Sequence, residues 1–125
     1  MGVVRLFDKS EPFPDLAPPL SRQRLVVEGY CPVPITADQI ECYLRVLSVV
    51  CGMKRLNDPV THCSGKYGWA GWVHWEGPGA HLYAWEDPLL YVSVGIYTCA
   101  KFDNVKVAEF TSAFFAAEEV VAKSF

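Results

Sequence analysis

Cys99 ends a β-branched run, Val92-Ser93-Val94-Gly95-Ile96-Tyr97-Thr98. A thiol in that position can hand a proton to a reacting carbon, or it can simply fill a small apolar space. His74 and His81 stand on either side of Gly77-Pro78-Gly79. A hairpin there would bring two imidazoles, the usual acid–base groups near neutral pH, onto adjacent strands. Tyr67, Trp69, Trp72, Trp75, Tyr83 and Trp85 crowd the same region. Flat rings at this density suit stacking on a ligand, an association surface, or a core. Glu28 and Glu76 offer carboxylates for a ligand amine or a ribose hydroxyl, or else a wet strand face. His62, Cys63 and Cys31 are metal-ligand types. Adjacent strand residues point to opposite faces, so His62 and Cys63 make poor co-ligands and no metal site is expected.

The elements that must position these groups are legible in part. Arg24 to Tyr30 is a short β-branched run and predicts the first strand. Thr36-Ala37-Asp38-Gln39 is a capping-box pattern, and Ile40, Tyr43, Leu44, Leu47 and Cys51 recur at helical spacing, so a helix is predicted over 36–51, stopped by Gly52. Met53 to Cys63 reads as a strand bent at Asn57-Asp58-Pro59. Strands follow at Ala70 to Glu76 and Ala80 to Glu86, joined by the Gly77-Pro78-Gly79 turn, and then at Leu89 to Thr98 after Asp87-Pro88. The last of these lacks strict alternation and is expected to be buried on both faces. Asp103 predicts the cap of a final helix whose apolar stripe runs Val107, Phe110, Phe114, Ala117, Val121, with Glu118 and Glu119 on its wet face. The order β-α-β-β-β-β-α with hairpin-length late connections implies an α+β two-layer sandwich, a mainly antiparallel sheet with both helices on one face.

Composition narrows the function classes. A 125-residue chain suits one domain, read as residues 23–125, preceded by an arm over 1–22 carrying Pro12, Pro14, Pro18 and Pro19. Such an arm is expected to dock on its own domain or on a neighbour. Net charge is −3 with no basic run, which argues against nucleic acid as a partner. No apolar stretch reaches the roughly 18–20 residues of a membrane span. The start, Met1-Gly2-Val3-Val4-Arg5, lacks a signal-peptide pattern. Five irregularly spaced cysteines without a Cys-x-x-Cys predict reduced, mostly buried thiols and a cytoplasmic protein.

Ala80-His81-Leu82-Tyr83-Ala84-Trp85 followed by Val94-Gly95-Ile96-Tyr97-Thr98-Cys99 resembles the core of the short prokaryotic S-adenosylmethionine decarboxylases. There a Ser-His-Leu-x-x-His-x-Trp strand leads into a second strand ending in (Phe/Tyr)-Thr-Cys. Arg24-Leu25-Val26-Val27-Glu28-Gly29-Tyr30 looks like that family's first strand, and the resemblance covers roughly 23–122. It implies the decarboxylase-like sandwich, a homodimer and an adenosyl ligand. By resemblance Cys99 is the catalytic proton donor and His81 a catalytic histidine, while Trp85, Tyr83, Trp75 and Glu76 are expected to bind ligand.

In the family a serine attacks its preceding carbonyl, and β-elimination leaves a pyruvoyl group that acts as electron sink. Matching on Trp85 puts Tyr83 at the family's processing histidine and Pro78 at the serine. Matching on His81-Leu82 puts Ala80 at the serine. Neither Pro nor Ala carries a hydroxyl or thiol, so pyruvoyl formation at this turn is chemically blocked and no cofactor is expected. Ser64 and Ser93 are the nearby hydroxyls. The resemblance implies a protein that does not self-process and acts by binding a nucleoside, amino acid or polyamine, or by pairing with an active paralogue. The competing readings are a working decarboxylase of polyamine biosynthesis with another processing site, and a structural oligomer without ligand.

Overall fold

The computed structural model describes residues 2–12 and 14–125. Its elements are β1 (Gln23–Tyr30), α1 (Ala37–Val50), β2 (Val60–Ser64), β3 (Gly68–His74), β4 (Gly79–Trp85), β5 (Tyr91–Thr98), α2 (Asn104–Phe115) and β6 (Glu119–Ser124). The strands form one antiparallel sheet in the order β2-β3-β4-β5-β1-β6. Both helices lie on one face, α1 over β2 and β3 and α2 over β1 and β6. This is the expected α+β sandwich.

The capping box of α1 forms: Thr36 Oγ1 accepts from Gln39 N, and Gln39 Oε1 accepts from Thr36 N. The apolar stripe of α1 buries Ile40, Tyr43, Leu44 and Leu47 against Leu25, Val27, Val73, Leu82, Val92 and Val94 from four strands. Two polar bonds cross this core. Trp75 Nε1 donates to Ser48 Oγ at 2.8 Å, and Tyr43 Oη and Thr111 Oγ1 lie 2.7 Å apart, joining α1 to α2. Close approach of α1 to β3 depends on Gly71, where a β-carbon would sit 2.4 Å from Ile40 Cγ2.

Three expectations are corrected. Residues 53–59 are not strand. They run irregularly beside the sheet, held by Leu56 N to His74 O, Glu76 N to Lys54 O and a single bridge between Arg55 and Trp75. Pro59 has no N–H, and Asp58 turns outward to accept from Arg45 and Arg55, so pairing begins only at Val60. β5 is not buried on both faces. Val92, Val94, Ile96 and Thr98 are buried, and Tyr91, Ser93, Gly95 and Tyr97 are half-buried on the other side. The final helix does not reach Val121. Ala116 takes a left-handed conformation (φ 49°) at its C-cap, and Glu118 N bonds Tyr30 O. Glu119–Ser124 then pairs along β1 as a sixth strand, with Val120 packed on the core and Glu119 at the sheet edge. The arm carries no helix or strand among its described residues. Arg22 pairs with Asp15, and Pro14, Leu20 and Arg22 border a shallow hollow with Arg24 and Phe125.

Ser48→Ala removes the acceptor of a fully buried indole N–H and is expected to cost about 1–3 kcal/mol. Gly71→Ala forces Ile40 and Val60 apart and is expected to cost about 1–3 kcal/mol. Urea unfolding of both variants checks these values.

Candidate functional site

The sheet face opposite the helices is uncovered, and the pleat decides which residues reach it. Strand register sets them in rows: His74, Gly79, Tyr97 and Arg24, then Trp72, His81, Gly95, Val26 and Lys123. Further along come Tyr83, Ser93, Glu28 and Val121, then Trp85, Tyr91, Tyr30 and Glu119.

Gly79 and Gly95 lack side chains where their neighbours carry large ones, so a groove of about 530 Å³ opens over them. That size falls within the roughly 300–1,000 Å³ of small-molecule sites. His74, His81, Tyr97, Arg24, Pro78 and Leu56 border it. His74 and His81 are both exposed and lie one register step apart, His74 opposite Gly79 and His81 opposite Trp72. The Trp72 and His74 rings pack with centroids 4.7 Å apart. The Arg24 guanidinium lies over Tyr97, 4.4 Å from the ring centroid.

The other half of the face is aromatic and acidic. Tyr83, Trp85, Tyr91 and Tyr30 form a chain of rings with centroids 6.2, 5.3 and 6.4 Å apart. Ser93 Oγ donates to Glu28 Oε2 at 3.2 Å. The Tyr91 phenol is pushed up to about 12, first by loss of solvent around it and then by its hydrogen bond to Glu28 and that carboxylate's charge.

The β3–β4 turn reaches the end of β5. A β-carbon on Gly77 would lie 3.2 Å from Cys99 Cβ, so exposed Cys99 stands directly against the turn. Trp75 N donates to Pro78 O across the turn, and Ala80 is buried on the helix side. None of the turn residues Gly77, Pro78 and Gly79, nor Ala80 after them, carries a side-chain nucleophile. A pyruvoyl group made from this turn therefore has no precursor, and the residues present do not fit that cofactor. Ser64 Oγ accepts from Lys66 N and Tyr67 N within the β2–β3 turn, and Ser93 is engaged with Glu28.

The structure brings His81, Tyr83 and Trp85 to the open face and sets Cys99 against the β3–β4 turn, just past the end of β5. It does not bring Trp75 there, because that ring is 2 % exposed and tied to Ser48 under the sheet. Glu76 is a surface residue 3.6 Å from Lys54. Arg24 and Tyr97, which sequence reading did not single out as site residues, complete the groove. Their signal was their even spacing with Val26 and Gly95 on facing strands. Trp69 packs against the core with Trp75 while Trp72 faces out, because a spacing of three alternates faces in a strand. Among the described residues, no three His, Cys, Asp or Glu side chains are grouped so as to hold a metal ion.

The fold has a solved counterpart. The adenosylmethionine decarboxylase crystal structure from Aquifex aeolicus VF5 superposes with a TM-score of 0.66 over 85% of this chain and 89% of that one, at 12% identity. The chain has an S-adenosylmethionine decarboxylase-like fold. No family model matches the sequence, and no curated protein matches it. Among the described residues no helix is long and apolar enough to cross a membrane.

Two outcomes follow from this geometry. Glu28→Gln removes a charge that holds the Tyr91 phenol up, so ultraviolet titration is expected to show one tyrosine ionising at lower pH, with Tyr91→Phe identifying it. The folded value lies above the ordinary ~10. Stability from the neutral phenol is therefore complete below about 10 and is lost as pH rises toward about 12. Burial also raises the thiols of Cys31 and Cys51, the latter pushed up to about 12. Iodoacetamide is expected to label Cys42, Cys63 and Cys99 in the native protein, and Cys31 and Cys51 only after unfolding. Peptide mass mapping reads this directly.

Proposed function

We propose that this chain is an S-adenosylmethionine decarboxylase-related protein that does not self-process, carries no pyruvoyl group and acts by binding a small ligand in the open-face groove. The observation that supports it most is the turn against Cys99. The fold is kept, yet Gly77-Pro78-Gly79-Ala80 offers nothing to attack a carbonyl. The ligand classes are a nucleoside, an amino acid or a polyamine, held by the groove and by the rings of Tyr83 and Trp85, with His81 at its rim. Cys99 stands against the turn and takes no part in a decarboxylation. The protein works in the cytoplasm as a homodimer or paired with an active paralogue. The exposed rings of the open face and the two sheet edges at β2 and β6 are the surfaces that would support such pairing.

An aryl hydrazide, which captures protein-bound carbonyls, tests the chemistry. The denatured protein is expected to take up none, and S-adenosylmethionine is expected to release carbon dioxide no faster than in buffer. Stoichiometric uptake, or decarboxylation above that background, would restore the enzyme reading.

A further inference from the structure

The charges on the open face are segregated. Around the groove stand Arg24, His74 and His81, with Lys123 next in the row that holds His81 and Gly95. No acidic side chain borders the groove. Among the described residues Arg24 has no carboxylate at ion-pair distance. Its guanidinium instead lies over the Tyr97 ring, 4.4 Å from the centroid, which positions it beside the groove. The nearest acid along the same strand face is Glu28, four residues on and about 13 Å away, and it is occupied by Ser93. A cationic ligand would therefore meet like charge from the groove's own side chains. An anion would meet a planar, pre-positioned guanidinium that suits bidentate contact with carboxylate or phosphate oxygens. The glycine floor and the Tyr97, Pro78 and Leu56 surfaces leave room for a flat apolar body behind that anionic end.

We propose that the groove over Gly79 and Gly95 takes a flat, apolar molecule bearing an oxyanion, carboxylate or phosphate, bound at Arg24, and that it discriminates against amines. This rests on the reading of the groove as a ligand site and narrows it, setting polyamines aside in favour of anionic ligands.

Three probes with the same aromatic body separate the possibilities by calorimetry on the full chain: naphthaleneacetate, naphthyl phosphate and naphthylmethylamine. At least one of the two anions is expected to bind, with the amine at least ten-fold weaker. The stronger anion tells carboxylate from phosphate. Arg24→Gln, a change at an exposed side chain, is expected to weaken the bound anion at least ten-fold. Gly95→Leu fills the groove, and because nothing lies within 4 Å of a β-carbon there, the melting temperature is expected to hold while binding is lost. Should the amine bind as tightly as the anions, or Arg24→Gln change nothing, the anion proposal is wrong although the groove remains a ligand site. Should none of the probes bind, or Gly95→Leu leave binding intact, the groove itself is wrong, and the broader reading falls with it.

Discussion

The pleat of β5 governs this molecule. Val92, Val94, Ile96 and Thr98 are buried under the helices, so Tyr91, Ser93, Gly95 and Tyr97 must all face the other way. Register with β4 and β1 then carries that division across the sheet. Burying the first set removes apolar area from water at roughly 25 cal/mol per Å², and a slip of one residue would turn that set toward solvent. The uncovered face, its groove and its charge pattern are consequences of keeping the other face dry.

Separation of the two faces also separates buried from open-face aromatics. Trp75 and Tyr43 each spend their polar atom on a partner inside the core, Ser48 and Thr111. Such buried donors are satisfied and unavailable to a ligand. Tyr83, Trp85, Tyr91 and Tyr97 stand on the open side, where Arg24 and Glu28 give the two halves of the face opposite character. A turn with no nucleophile sits at the corner beside Cys99. The decarboxylase-like fold thus carries a turn without a nucleophile and an open face with its own electrostatics.

Much of this was legible in the sequence where local rules act alone. The Thr36–Gln39 capping box placed α1, and the β-branched runs placed β1 and β5. The misses in the fold trace to which strands found partners. Ala116-Ala117-Glu118-Glu119 contains good helix formers, so the pattern read on through them. The free edge of β1 instead captured the chain, and the β-branched pair Val120-Val121 was the unheeded sign of a strand. Residues 53–59 looked extended but had no complete partner strand until Val60. The shared face of His81, Tyr83 and Trp85 follows from their alternate spacing along one predicted strand. Spacing also puts Arg24 and Tyr97 on the outward face of their strands, but their meeting comes from a cross-strand pairing far apart in sequence. The buried place of Trp75 is not legible, since a run of tryptophans does not state which face each one takes.

The proposed loss of self-processing at the Gly77–Ala80 turn is tested most directly by the intact mass of the purified protein under denaturing conditions. A single species at the full-length mass is the predicted result. Two fragments whose masses sum to the chain would contradict it, and their boundary would name the residue that attacked its own backbone.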